Sequence, residues 1–325
     1  MSTKDYEYVS VFAPEFLAYI ALRESQGRKI SDYQRYCRFL DQYLFAEGIS
    51  KKELPATIAE GWMGSRWAGM TTRTRAVYLS HYSGFAKYLH TLGYAAFIPE
   101  GVIADKSYLP YLFSDEEVVR FFHAADNLST GHAYFSNFAF PLAMRILYGC
   151  GLRVNEALCL ELGDIDLESG ILLIRNAKGN RDRLVPMDDS LTCILSRYLS
   201  LHRKGCEKET LLFQDRKGNK VPRLMMRYRF NQTLKLAGIE KPELPLYRRN
   251  ICLNCMRHCF AVNSFRKQDL AGIDMYSCAP LLATYMGHKR MNCTETYLHM
   301  TAENSRDIID KASEYSEGLF PEVPR

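Results

Sequence analysis

No apolar run in the 325 residues approaches the ~20 that a bilayer-spanning helix requires. The polar opening Met1-Ser2-Thr3-Lys4-Asp5 lacks the apolar segment of a signal peptide. A membrane role is set aside on these grounds, and a cytoplasmic protein is expected. Internal repeats and low-complexity tracts are also missing, which argues against solenoid and fibrous architectures. The chain has no acidic cluster of the kind that holds a hard metal ion. Nor does a second Cys/His pair stand at zinc-finger spacing from Cys252, Cys255, His258 and Cys259. Those four fall on one helix, which cannot easily surround a tetrahedral ion, so they read as small buried thiols beside a packing histidine. Ten cysteines without the short-loop spacing of secreted domains fit a reducing compartment.

What is present is ordinary in bulk and uneven in detail. An apolar content of 47% and a charged content of 24% describe a globular protein, and the length allows two domains, each with its own core. The net charge of +5 is modest, but residues 175–267 carry 21 Lys and Arg against 8 Asp and Glu, while the chain after Lys267 is net acidic. A basic block is often only a solvated face. Its position between two arginine-bearing motifs makes a polyanion track the better reading here.

Residues from about 11 to 105 read as amphipathic helices. One opens at Ser31 with Gln34 three positions on, a capping-box pattern, and places Tyr33, Tyr36, Phe39, Leu40, Tyr43 and Leu44 on one stripe before Gly48. Another begins near Thr71 and carries Tyr78, Tyr82, Phe85, Tyr88, Leu89 and Leu92 before Gly93. Aromatics at helical period are expected in a core rather than on a base-stacking platform. Arg73 and Arg75, in the first turn of that helix, oppose its dipole, which leaves room for an external phosphate. Between about Pro99 and Ser114 the periodicity lapses, and the chain is divided there into domains at 1–105 and 106–325. Ser114 to Glu117 then starts a helix with acid in its first turn, and the apolar helical region Phe138 to Leu160 is interrupted by Gly149-Cys150-Gly151. Alternation takes over at Asp164–Leu167, Ile171–Arg175 and Arg183–Met187, three short antiparallel strands with Lys178 at the tip of the second turn. Helical pattern resumes from Leu191, and the tail after Thr301 has an amphipathic stretch. The expected fold class is mainly α with a small antiparallel three-stranded sheet.

Four short motifs carry chemistry. Residues 149–156 read Gly-Cys-Gly-Leu-Arg-Val-Asn-Glu, residues 254–261 read Asn-Cys-Met-Arg-His-Cys-Phe-Ala, residues 285–288 read Tyr-Met-Gly-His, and Tyr297 lies nine residues beyond His288. Two guanidiniums clamp a phosphodiester, an imidazole hydrogen-bonds it, and a phenol attacks it. Singly, each residue has a plainer reading as a cap, a core ion pair, an interior histidine or one of 21 tyrosines. Their order and spacing carry the inference.

Together with the basic hairpin Lys-Gly-Asn-Arg-Asp-Arg-Leu-Val-Pro-Met at 178–187, this set resembles the tyrosine recombinase, or phage integrase, family. The resemblance covers residues from about 114 to 300, and the helical amino-terminal domain is similar in size and position to the family's SAM-like core-binding domain. It implies a DNA breaking and rejoining domain in which Arg153 and Arg257 bind the phosphate, Glu156 supports Arg153, Lys178 is the general acid, His288 contacts the phosphate and Tyr297 is the nucleophile. Where the family usually shows His-x-x-Arg, this chain has Asn254-Cys255-Met256-Arg257. Asparagine can donate a hydrogen bond to a phosphoryl oxygen but cannot exchange a proton near neutral pH.

The chemistry so implied needs no cofactor and no metal, because the phosphotyrosyl link keeps the energy of the broken bond. Double-stranded DNA is the expected partner, gripped by both domains as a C-shaped clamp. Arg73 and Arg75 on one side and Arg181, Arg183, Arg223, Arg227 and Arg229 on the other would meet mostly phosphates. A synaptic homotetramer, or assembly with related recombinases, is expected, with the tail after Thr301 packing either on a neighbouring protomer or on its own domain. A type IB-like topoisomerase shares this chemistry, and a catalytically silent DNA-binding protein shares the fold.

Overall fold

Four helices build the first of two compact units, into which the chain divides near residue 108. They are α1 (Ala13–Ser25), α2 (Ile30–Ala46), α3 (Ala56–Trp67) and α4 (Thr72–Thr91). The computed structural model describes residues 6–67, 69–101, 110–128, 138–177, 181–215, 217–241, 250–288, 291, 294–298 and 300. The aromatic stripes do meet in a core: Phe12, Phe16, Tyr19, Leu40, Leu44, Trp62, Tyr82, Phe85 and Leu89 are all buried, with the Phe16 and Phe85 rings stacked at 4.3 Å. Burial of this many rings is the main stabilising term of such a bundle. Thr71 caps α4, its side chain accepting from the Thr74 N–H at 3.2 Å. The Ser31–Gln34 capping box does not form. Helix α2 starts one residue earlier, at Ile30, without a side-chain cap, because Ile30 packs against the core and draws Ser31 inside the helix.

The second unit is wound around a buried helix. Ser114 and Glu117 form a reciprocal capping box at the start of α5 (Asp115–Asp126). Helix α6 (Phe140–Gly149) is apolar but for Arg145, which pairs with Asp126 at 2.7 Å, and Tyr148, and its Phe140, Leu142, Ala143, Met144, Ile146 and Leu147 are at most 2% exposed. A helix of that composition belongs at the centre of a domain, and α5, α8 (Asp189–His202) and α10 (Asn254–Leu270) pack around it. After the short α7 (Val154–Ala157), strands β1 (Ile165–Asp166), β2 (Ile171–Ala177) and β3 (Arg181–Pro186) form an antiparallel sheet in the order β1-β2-β3. Leu172 stands opposite Val185 and Ile174 opposite Arg183, so one sheet face delivers Leu172, Ile174 and Val185 to the core.

Helices α9 (Arg223–Leu236) and α11 (Met275–Met286) complete the unit, and residues 294–298 are again helical. Tyr297, Leu298 and Met300 pack with Ala261, Val262 and Phe265 of α10 and Met286 of α11 in a smaller apolar cluster. The fold is thus mainly α with a small three-stranded antiparallel sheet. Among the described residues, no helix is long and apolar enough to cross a membrane. The tail after Thr301 lies outside the described residues.

Candidate active site

The carboxyl end of α11 organises the site. The last carbonyls of a helix have no intrahelical partners, and here three in succession accept from three different arginines. Tyr285 O accepts from Arg183 Nε at 2.9 Å, Met286 O from Arg257 Nη2 at 2.8 Å, and Gly287 O from Arg153 Nη2 at 2.8 Å. A helix carries about half a negative charge at this end, so the terminus partly offsets the three cations it gathers. Gly287 ends the helix in the left-handed region at φ 65°. A Cβ there would lie 3.1 Å from Arg183 Nη1, so conformation and space both demand glycine.

Each arginine is supplied by a separate element. Arg153 is the N-cap of α7, where the Glu156 carboxylate reaches back to its N–H at 2.9 Å and takes its Nη1 at 2.7 Å. The same carboxylate accepts from Arg183 Nη1 and Nη2 at 3.1 and 2.8 Å. Burial pushes the Glu156 carboxyl up, but hydrogen bonds from Arg183 and Arg153 overcome it and hold the group at about 2. Arg257, in the first turn of α10, is 6% exposed. It donates to Met286 O, to His288 Nε2 at 3.0 Å and to Gly151 O. Gly151 sits at φ 58° and a Cβ there would run into the Phe260 ring, so only glycine lets the turn offer that carbonyl. Burial, then repulsion from Arg153, pulls Arg257 down to about 10, which leaves it cationic at neutral pH. Among the described residues no carboxylate pairs with it. A buried guanidinium whose partners are neutral is a receptor for an anion.

The imidazole of His288 is fixed in one tautomer. Arginine only donates, so Nε2 accepts from Arg257 and the ring proton is on Nδ1, donated to Thr294 Oγ1 at 2.8 Å. Burial first, then Arg257, Arg153, Arg183 and His258, lower this imidazole to about 3. Tyr297 is 5% exposed. Its ring lies over His288 with centroids 6.2 Å apart, and its hydroxyl is 2.8 Å from His258 Nδ1. The two arginines, His288 and Tyr297 are therefore brought to one place by direct contacts. His258, expected as a packing residue, touches the phenol instead. Nothing local to either segment signals this contact, which joins residues 39 positions apart.

The remaining expectations divide by position. Asn254 opens α10 and is half-buried. Lys178 lies outside the described residues, as does the side chain of Arg181. Arg73, Arg223 and Arg227 are exposed and Arg75 is half-buried. Arg183 and Arg229, expected at the surface, lie inside the fold. Strand alternation places Arg183 on the same inward face as Val185 while Leu184 points out, 61% exposed. Arg229 falls on the buried face of α9 with Met226, Phe230 and Thr233, bonded to Gln232 at 2.8 Å. The thiols of Cys255 and Cys259 are buried and Cys252 is 4.0 Å from Cys255. Among the described residues, no three His, Cys, Asp or Glu converge as a metal site.

A model of the phage integrase family matches residues 112–304, more than half of the sequence. The chain belongs to the phage integrase family. An integrase/recombinase of Sinorhizobium fredii, y4rB, is 28% identical over 316 residues, covering 93% of this integrase-family chain and 96% of the relative. The tyrosine recombinase XerA of Pyrococcus horikoshii is 28% identical over 204 residues, 63% of this chain and 62% of that protein. Two solved structures share the fold. XerH bound to palindromic difH substrate has a TM-score of 0.65 at 18% identity, covering 97% of this chain and 92% of XerH. The Tn1549 transposon integrase with right-end DNA has a TM-score of 0.63 at 17% identity, covering 93% and 98%.

Proposed function

We propose that this protein is a site-specific DNA recombinase of a mobile element, cutting and rejoining strands through a covalent 3′-phosphotyrosine link. The observation that carries the reading is Arg257: a buried cation without a carboxylate, sharing hydrogen bonds with His288 and next in sequence to the histidine that holds Tyr297. A scissile phosphodiester supplies the anion. Arg153 and Arg257 neutralise its oxygens and bind more strongly as charge shifts in the transition state, worth ~3–4 kcal/mol per donor in comparable sites. His288 is neutral and, through its bond from Arg257, orients that guanidinium. Asn254 donates a hydrogen bond to the phosphate. Tyr297 Oη attacks phosphorus, the strand departs with a 5′ oxygen, and Lys178 protonates that oxygen. Rejoining reverses the steps, and since the link conserves the bond energy no nucleotide or metal is called for.

Residues 1–105 serve as the core-binding domain and residues 106–325 as the catalytic domain. Double-stranded DNA is held at phosphates by Arg73, Arg75, Arg181, Arg223 and Arg227, while Arg183 and Arg229 support the fold from within. A homotetramer on two duplexes performs the exchange, in the cytoplasm, where free thiols such as the nine described here persist.

Incubation with a library of nicked duplexes of randomised core sequence tests the proposal by covalent capture. Wild type is expected to retain a set of duplexes as denaturation-resistant adducts, and Tyr297→Phe to retain none while still binding them. A wild-type chain that binds but forms no adduct makes this a silent DNA-binding protein. Relaxation of plasmids lacking any selected sequence makes it a topoisomerase.

A further inference from the structure

Asn254, at the start of α10, cannot exchange a proton near neutral pH. The attacking phenol must nevertheless lose one. Among the described residues, two imidazoles border Tyr297. His288 is committed at both nitrogens, accepting from Arg257 and donating to Thr294, and its lowered basicity keeps it from accepting a proton near neutrality. His258 lies 2.8 Å from the hydroxyl itself through Nδ1, within the range required of a general base. Residue 258 lies four positions after residue 254, on the same face of α10 and one helical turn nearer its carboxyl end. His258 meets the nucleophile from that helix face.

We infer that His258 is the proton acceptor for Tyr297 during strand cleavage and its proton donor during resealing. This rests on the recombinase reading above and adds a catalytic residue to it. In cleavage the phenolic proton passes to Nδ1 as the Oη–P bond forms and the bond from phosphorus to the 5′ oxygen breaks. The departing oxygen takes its proton at its own end, the role assigned to Lys178. In resealing the strand hydroxyl attacks phosphorus, and the imidazolium of His258 returns the proton to the leaving phenolate. The reactive tautomer carries its ring proton on Nε2 and its lone pair on Nδ1.

Single-turnover cleavage of one captured duplex by wild type, His258→Ala and His258→Gln tests the assignment. Glutamine keeps much of the volume and the hydrogen-bonding capacity, which separates loss of a base from loss of packing. Both variants are expected to bind the duplex as wild type does and to cleave it about 10²–10⁴-fold more slowly. Added imidazole should accelerate His258→Ala in proportion to its unprotonated fraction, and the acid limb of the wild-type pH–rate profile should vanish in both variants. On a duplex with sulfur in place of the bridging 5′ oxygen, the leaving group needs no proton, and the defect should persist because it belongs to the attacking end. Cleavage by both variants within about threefold of wild type, or slow cleavage with the acid limb intact and no response to imidazole, overturns the inference. An adduct-forming wild type with indifferent variants sinks this inference alone. A wild type that forms no adduct sinks the recombinase reading as well.

Discussion

Replacing Glu156 by glutamine removes one charge from beneath two arginines while keeping the side chain's shape. The carboxylate accepts four hydrogen bonds, two from Arg153 and two from Arg183, at 2.7 to 3.1 Å. Holding its pKa at about 2 rather than 4.5 corresponds to about 3 kcal/mol of folding free energy. Solvent reaches Arg153, whose side chain is 27% exposed, and screening lowers the net figure to ~2–3 kcal/mol. For a domain of this size that is a fall of about 5–10 °C in the melting temperature of the catalytic unit. The sign with pH follows from a folded pKa below the unfolded one. The contribution is complete above about 4.5 and is lost as the pH falls towards 2. Calorimetry of wild type and Glu156→Gln from neutral pH into acid should show two melting temperatures that are well separated at pH ~7 and converge in acid. Arg183→Gln combined with Glu156→Gln should destabilise less than the two singles added together, by ~1–3 kcal/mol, because the doubly substituted chain leaves one cation fewer unpaired. Equal melting temperatures at neutral pH, a gap that does not narrow in acid, or strict additivity would refute the network.

Two further outcomes are expected. Arg223→Ala and Arg227→Ala, at exposed positions of α9, should each lower the slope of log affinity against log salt by about 1, whereas Arg229→Ala should leave the slope alone; titrations of a captured duplex at several salt concentrations measure this. Gly151→Ala should destabilise the catalytic unit by ~1–3 kcal/mol and slow cleavage, since a methyl group at φ 58° meets Phe260 and displaces the carbonyl that holds Arg257; thermal melting and single-turnover rates read the two effects separately.

Much of the fold was legible because its determinants are local. The aromatic stripes of α2 and α4, the acid-led helix start at Ser114 and the alternation of β2 and β3 each state their structure within a few residues. Arg153, Arg257, His288 and Tyr297 were likewise legible as a set by spacing. The misplaced arginines were misread for a reason that can be named: charge was given precedence over periodicity. Alternation alone puts Arg183 on the face of Val185, and helical period alone puts Arg229 with Met226 and Phe230. A cation on an inward position points to a partner inside, which for Arg183 is Glu156. The bond between His258 and Tyr297 joins residues 39 positions apart, and no pattern in either segment specifies that they meet. The gathering of three guanidiniums at the end of α11 is equally non-local, since its receptors are main-chain oxygens that have no signature in the sequence.

That last feature ties the placement of all three charges to where one helix stops. A single residue inserted ahead of Gly287 would turn the terminus by ~100° about its axis and carry every receptor oxygen away from its arginine together, however faithfully the arginines themselves were kept. Variation in the length of α11 is therefore a more severe constraint on a working chain than variation along its exposed flank.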